Sequence, residues 1–237
     1  MELIFLFIIG TVIGSFSSLV IQRRISGESI VYPNSHCDTC KKELKPYDMI
    51  PIISFLYLRG KCRYCKSKIP VRNLLMEIFS GVLLLILGIN GLSSREIILF
   101  LAIILALVIA VIDLKTFDIY MGQIGLLVGL GIIYRFSYLS FDFKFLLICL
   151  IFCLGYFLIY KISKGGLGNG DIYYYLSLFL YLPNHQIKWL ILFSIWIGAI
   201  YGIYIGLKNK SRKIAIPFCI FIFLGFIIVI FMDRNLL

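Results

Sequence analysis

Residues 97–113 read Ile-Ile-Leu-Phe-Leu-Ala-Ile-Ile-Leu-Ala-Leu-Val-Ile-Ala-Val-Ile-Asp, sixteen apolar residues without a charge and then a carboxylate. As a helix such a run measures about 24 Å, close to the roughly 30 Å hydrocarbon core of a bilayer. Seven further uncharged runs of at least 16 residues surround it, at 3–22, 78–94, 119–134, 145–160, 172–187, 189–207 and 214–232. The run 172–187 is the weakest of them, because it ends in Leu182-Pro183-Asn184. A water-soluble domain of 237 residues, 61% of them hydrophobic, has too little interior to hide that surface. The expected fold is therefore an all-α membrane protein with about eight transmembrane helices.

Charge placement orients it. The formal net charge is +11, which in a soluble protein would suggest nucleic acid as a partner. With the N-terminus outside and eight crossings, however, 18 of the 23 Lys/Arg fall on the inner side. The outer side keeps Arg95, Arg135, Lys144, Lys188 and Arg234. That asymmetry matches the positive-inside rule for an N-out, C-out chain. The basic residues then imply membrane lipids rather than nucleic acid as neighbours. The first run is expected to stay in the protein as helix 1–22, since it lacks a basic leader and a small-residue cleavage site.

One stretch, 23–73, departs from this composition. It holds four of six prolines, four of seven cysteines and eleven Lys/Arg, and reads as a small cytoplasmic insert. The remainder, 74–237, is expected to form a helical bundle. Within the insert, Cys37-Asp38-Thr39-Cys40 and Cys62-Arg63-Tyr64-Cys65 form two CxxC turns. Two thiolates on each turn complete a tetrahedral zinc site, and metal binding would supply folding free energy that so short a segment lacks. Disulfides are disfavoured on the cytoplasmic side. His36 reads as a solvated loop residue, and Cys149, Cys153 and Cys219 as ordinary buried side chains.

Among twelve acidic residues, Glu77, Asp113 and Asp171 stand at membrane depth, where an ionisable group is costly and points to function. Asp113 ends the run quoted above, and Asp171 ends Gly165-Gly166-Leu167-Gly168-Asn169-Gly170-Asp171. The chain between them has room for one helix out and one back, which returns both carboxylates to one depth on the cytoplasmic side. Two such carboxylates sharing a proton can activate a water and polarise a carbonyl, as in aspartic proteases. The glycines of the second motif would allow close backbone approach and positive φ. Asp118 is a rival for Asp113, which is preferred because it continues the span directly.

These residues resemble those of the type IV prepilin peptidases, the GxGD aspartyl proteases also called leader peptidase/N-methyltransferases. The resemblance rests on Gly14-Ser15-Phe16, the tetracysteine insert, Asp48 to Ser54, Leu58 to Cys65, Asp113, Gly168-Asn169-Gly170-Asp171 and Ile216-Pro217-Phe218. The chain carries Leu74, Tyr120 and Tyr173 where the family commonly has proline, proline and lysine. The resemblance implies Asp113 and Asp171 as catalytic residues, with Gly168 and Gly170 supporting them. It implies removal of a basic leader after a glycine from prepilins or pseudopilins, at a bacterial cytoplasmic membrane. It further implies N-methylation of the new N-terminus with S-adenosylmethionine, for which Glu77 and Gly81 are candidate residues. Glu77 can equally sit at the interface bonded to backbone, and Gly81 can serve helix packing. A GxGD protease of preflagellin or signal-peptide-peptidase type, a proton-coupled transporter and a non-enzymatic scaffold are the alternatives.

Overall fold

A computed structural model describes residues 2–162, 168–209 and 216–232. Lys164, Gly165, Gly166, Leu167, Lys210, Arg212, Lys213 and Arg234, used above for topology or motif, lie outside these residues. Nine α-helices are described: α1 Glu2–Ser26, α2 Ile53–Tyr57, α3 Val71–Leu87, α4 Ser94–Thr116, α5 Met121–Tyr138, α6 Phe143–Ile162, α7 Asn169–Phe179, α8 Ile187–Asn209 and α9 Cys219–Met232. Among the described residues there is no strand, only two isolated bridges in the insert. The chain divides into two compact units, Met1–Phe100 and Leu101–Leu237.

Four helices are long and apolar enough to cross a membrane: α1, α4, α6 and residues Ile187–Lys208 of α8. The other uncharged runs form shorter or less apolar helices. α5 carries Gln123 and Arg135, α3 has 17 residues, α9 has 14 and α7 has 11. The uncharged runs mislocate helix ends because charge does not mark them. The run at 78–94 begins after Glu77, yet α3 starts at Val71 and buries Glu77 in its middle.

In the first unit, α1 and α3 pack along a stripe of small residues. Leu6, Gly10, Gly14, Ser17 and Ile21 recur at helical spacing and are buried. A Cβ on Gly10 would stand 2.5 Å from the Ser80 carbonyl oxygen, and one on Gly14 2.5 Å from that of Met76. Small residues let two backbones approach this closely, which is how helices associate in lipid, where hydrophobic burial gives no drive. Residues 74–100, grouped above with the C-terminal bundle, thus belong largely to the unit containing α1 and the insert. Ile4, Phe5, Ile8, Val12 and Phe16, on the opposite face of α1, are exposed.

In the second unit, α7 runs alongside α5 in the same sense. Gly170 meets Ile119 at one end, Leu180 covers Gly131, and the Tyr181 hydroxyl donates to the Leu127 carbonyl at 2.6 Å. At the far end Arg135, fully buried, donates to the carbonyls of Phe179 (3.2 Å) and Leu182 (3.0 Å) and to Asn184 Oδ1 (2.5 Å). Phe179 is the last residue of α7 and Leu182 lies in the turn that follows, so Arg135 caps the end of that helix and its turn. The charge assigned above to the outer surface is therefore internal. α7 is also tied to α4, through the Tyr174 hydroxyl donating to the Ala106 carbonyl at 2.8 Å. α8 and α9 form a hairpin in which Gly225 lies against the Leu190 and Ser194 backbone.

Candidate active site and cysteine cluster

α4 ends just past Asp113. Phe117 takes a left-handed conformation (φ 57°), and its N–H donates to the Asp113 carbonyl at 2.9 Å, closing the helix. The following residues carry the chain back over Gly170. A Cβ there would stand 2.5 Å from Ile119 Cδ1, so glycine is what lets this strap lie against the start of α7. Gly168 occupies the N-cap of α7 at φ −69°. Its carbonyl accepts from the Asp171 N–H (3.2 Å) and the Tyr156 hydroxyl (2.6 Å). A Cβ on Gly168 would lie 2.9 Å from Asp171 Oδ2, crowding the carboxylate. Neither glycine uses positive φ. Their role is space, which corrects half of the expectation drawn from the motif.

Asp171 sits in the first turn of α7, where the free N–H groups and the helix dipole favour negative charge. Asp113 and Asp171 are each 6% exposed. A carboxylate oxygen of each, and the Cys219 sulfur, all lie within 4.8 Å of one another. A water bonded to two oxygens at about 2.8 Å spans up to roughly 5.5 Å between them, so one water can touch both carboxylates. Both face a cavity of about 330 Å³, lined also by Asp118, Asn169, Pro217 and Phe218. Asp118, the rival, is exposed and stands at the rim, outside this cluster.

Cys219, read from sequence as an inert buried side chain, lies between the two aspartates. Its backbone N–H donates to Asp113 Oδ2 at 3.2 Å and its thiol to Asp171 Oδ1 at 3.4 Å. No spacing rule linked it to them, because it is 106 residues from Asp113 and begins a separate helix.

In the first unit, the sulfurs of Cys37, Cys40, Cys62 and Cys65 also lie within 4.8 Å of one another. Each CxxC forms the same turn. Lys41 N–H bonds the Cys37 carbonyl and Lys66 N–H that of Cys62, with Lys41 (φ 54°) and Lys66 (φ 60°) in equivalent left-handed positions. The bridges His36–Glu43 and Lys61–Lys68 close the two turns identically. Cys37 and Cys65 sulfurs are 3.8 Å apart, matching the roughly 3.8 Å edge of a tetrahedron with Zn–S of about 2.3 Å. Burial pushes the Cys37 thiol up, but the Cys40 and Thr39 backbone and the Ser67 hydroxyl outweigh it, bringing it to about 6. Cys40 is favoured as a thiolate by the Lys42 backbone, yet desolvation and the neighbouring Cys65 and Cys37 push it up to about 11. Four crowded sulfurs cannot all ionise without a cation among them. The site fits zinc. His36 instead hydrogen-bonds the Asn34 carbonyl and faces Glu28 at 3.8 Å.

Glu77 accepts from the Ile52 N–H at 2.7 Å and borders a cavity of about 400 Å³ lined also by Ser15, Phe16, Gln22, Arg23 and His36. Gly81 is not with it. A Cβ there would meet Phe7 and Thr11 of α1 at 2.7 and 2.8 Å, so Gly81 serves the α1–α3 packing.

Residues 8–90 match the Bacterial Peptidase A24 N-terminal domain, and residues 99–203 match the Type IV leader peptidase family. The prepilin leader peptidase/N-methyltransferase of Bacillus subtilis (strain 168) is 32% identical over 213 residues, covering 88% of this chain and 85% of that protein. The Legionella pneumophila protein of the same name is 27% identical over 220 residues, covering 88% and 76%. That of Myxococcus xanthus is 44% identical over 80 residues, or 34% of this chain and 24% of that protein. No solved structure matches. With a 32% identical relative covered over most of both lengths, the chain belongs to the type IV leader peptidase family of enzymes.

Proposed function

We propose that Asp113 and Asp171 are the catalytic dyad of an aspartic endopeptidase that removes the basic leader from prepilins or pseudopilins after a glycine. The observation that carries this reading is the approach of two buried carboxylates within 4.8 Å at the wall of one cavity. Two carboxylates this close share one proton, since both cannot stay ionised side by side. The ionised member takes a proton from the bridging water, while the other donates its proton to the scissile carbonyl oxygen. The tetrahedral diol then collapses: the second carboxylate takes a proton back from one diol hydroxyl as its C=O re-forms, the C–N bond breaks, and the first carboxyl gives its proton to the leaving amine. The cavity supplies both the water and access for an extended peptide. A proton-coupled transporter gains nothing from the family membership, which points to peptide cleavage.

The rest of the reading follows the family. Eight crossings with both ends outside remain the topology we favour, which puts the dyad at the cytoplasmic side of a bacterial membrane. Cys37, Cys40, Cys62 and Cys65 would hold a structural zinc ion, whose contribution is to order the insert. The relatives' names include N-methyltransferase, and we extend that activity to this chain. S-adenosylmethionine, when bound, supplies an electrophilic methyl group for the new N-terminal amine. We assign Glu77, 8% exposed at the edge of the 400 Å³ cavity, to face the cationic donor, with Gly81 supporting the packing of α3 on α1 beside it.

The test uses purified protein and a prepilin carrying its leader. Asp113→Asn and Asp171→Asn each abolish leader removal with zinc content unchanged, and Asp118→Asn cleaves. Full cleavage by either dyad variant refutes the assignment. Mass spectrometry of the mature product with S-adenosylmethionine present reads methylation, which Glu77→Gln reduces without affecting cleavage.

A further inference from the structure

The two carboxylates repel, and nothing in their own helices requires them to stay within reach of one water. Cys219 supplies two donors to them from a single residue. Its N–H is fixed by the start of α9, where Phe218 is the N-cap and its carbonyl accepts from Phe221 (3.0 Å) and Ile222 (3.2 Å). That N–H is one of the donors a helix N-terminus leaves without an intrahelical acceptor, and it is directed at Asp113 Oδ2. The thiol of the same residue lies within 4.8 Å of a carboxylate oxygen of each aspartate and donates to Asp171 Oδ1 at 3.4 Å. Cys219 itself is 0% exposed, so both donors approach the carboxylates from the protein side, opposite the cavity's water.

Resting on the dyad reading above, we propose that Cys219 is a positioning residue that clamps Asp113 and Asp171 at the spacing catalysis needs. One arm is backbone and survives any substitution except proline. The other is the thiol, a weak donor that here serves a carboxylate from a fully buried position. Losing it frees the Asp171 carboxylate to rotate away from the bridging water, which slows the chemical step while leaving substrate docking intact.

The experiment measures kcat and KM for prepilin cleavage by four Cys219 forms, with thermal stability in the same detergent. Cys219→Ala lowers kcat about tenfold, the effect expected of one hydrogen bond to a charged group, with KM and Tm unchanged. Cys219→Ser, whose hydroxyl donates from the same place, restores at least half of the parental kcat. Cys219→Pro is tolerated at the first position of a helix and removes the N–H as well. It falls a further tenfold below the alanine form. Parental kcat in Cys219→Ala overturns the inference. So does equal loss in the alanine and serine forms with a lowered Tm, which would mark packing alone. Asp113→Asn and Asp171→Asn run in parallel: if they still cleave, it is the dyad reading that fails, and if they are inactive while Cys219→Ala is unimpaired, only the clamp fails.

Discussion

Replacing Arg135 with methionine, which keeps length and apolar bulk, should destabilise the second unit strongly although the residue lies far from the cavity. The guanidinium satisfies the Phe179 and Leu182 carbonyls and Asn184 Oδ1, and lies 3.4 Å above the Phe145 ring. Methionine leaves the Leu182 carbonyl and Asn184 Oδ1 without that donor, at roughly 1–3 kcal/mol each, while the Phe179 carbonyl keeps the Leu182 N–H at 3.3 Å. Against this, removing a buried cation relieves its desolvation, so the net cost is about 3 kcal/mol. Asn184 keeps one anchor, since its Nδ2 donates to Asp142 at 2.9 Å. Reversible unfolding in mixed micelles of increasing SDS fraction measures the difference. Arg135→Lys should recover less than half, because a point charge cannot fork to three acceptors. An Arg135→Met protein that unfolds at the parental SDS fraction would refute the capping role.

Two further predictions concern the sites themselves. Purified protein should contain about one zinc per chain by elemental analysis; Cys62→Ser should lose it, since three thiolates bind far more weakly than four. A Cys62→Ser protein with full zinc content would show that the cluster is not the ligand set. Gly170→Ala should cut prepilin cleavage at least tenfold, because its Cβ would stand 2.5 Å from Ile119 Cδ1, and Ile119→Ala should restore most of it by removing that atom. No rescue in the double variant would locate the defect elsewhere.

The parts of this protein that sequence revealed are those written in local pattern. The tetracysteine cluster is legible because both cysteines of each pair sit on one turn, so spacing is geometry. Asp113 and Asp171 were legible because a carboxylate at the end of an apolar run is costly and therefore conspicuous. Helix ends are less legible: the uncharged run starts at 78, whereas α3 starts at Val71 and carries Glu77 buried within it.

Arg135 and Cys219 show why the rest was not legible. A lone arginine at the end of an apolar run looks the same whether it snorkels to a headgroup or turns inward. The deciding fact is the carbonyl terminus of α7, 44 residues onward, which needs a donor. Cys219 is harder still, because an apolar-flanked thiol is the commonest kind of buried cysteine. What makes it exceptional is that α9 begins with it, so one residue offers its free N–H and its side chain to two different elements. In both, the role is set by unmet hydrogen-bonding at a helix end, that of α7 for Arg135 and that of its own helix for Cys219. Interior polar and thiol residues opposite a helix terminus are therefore where a membrane sequence most needs a structure.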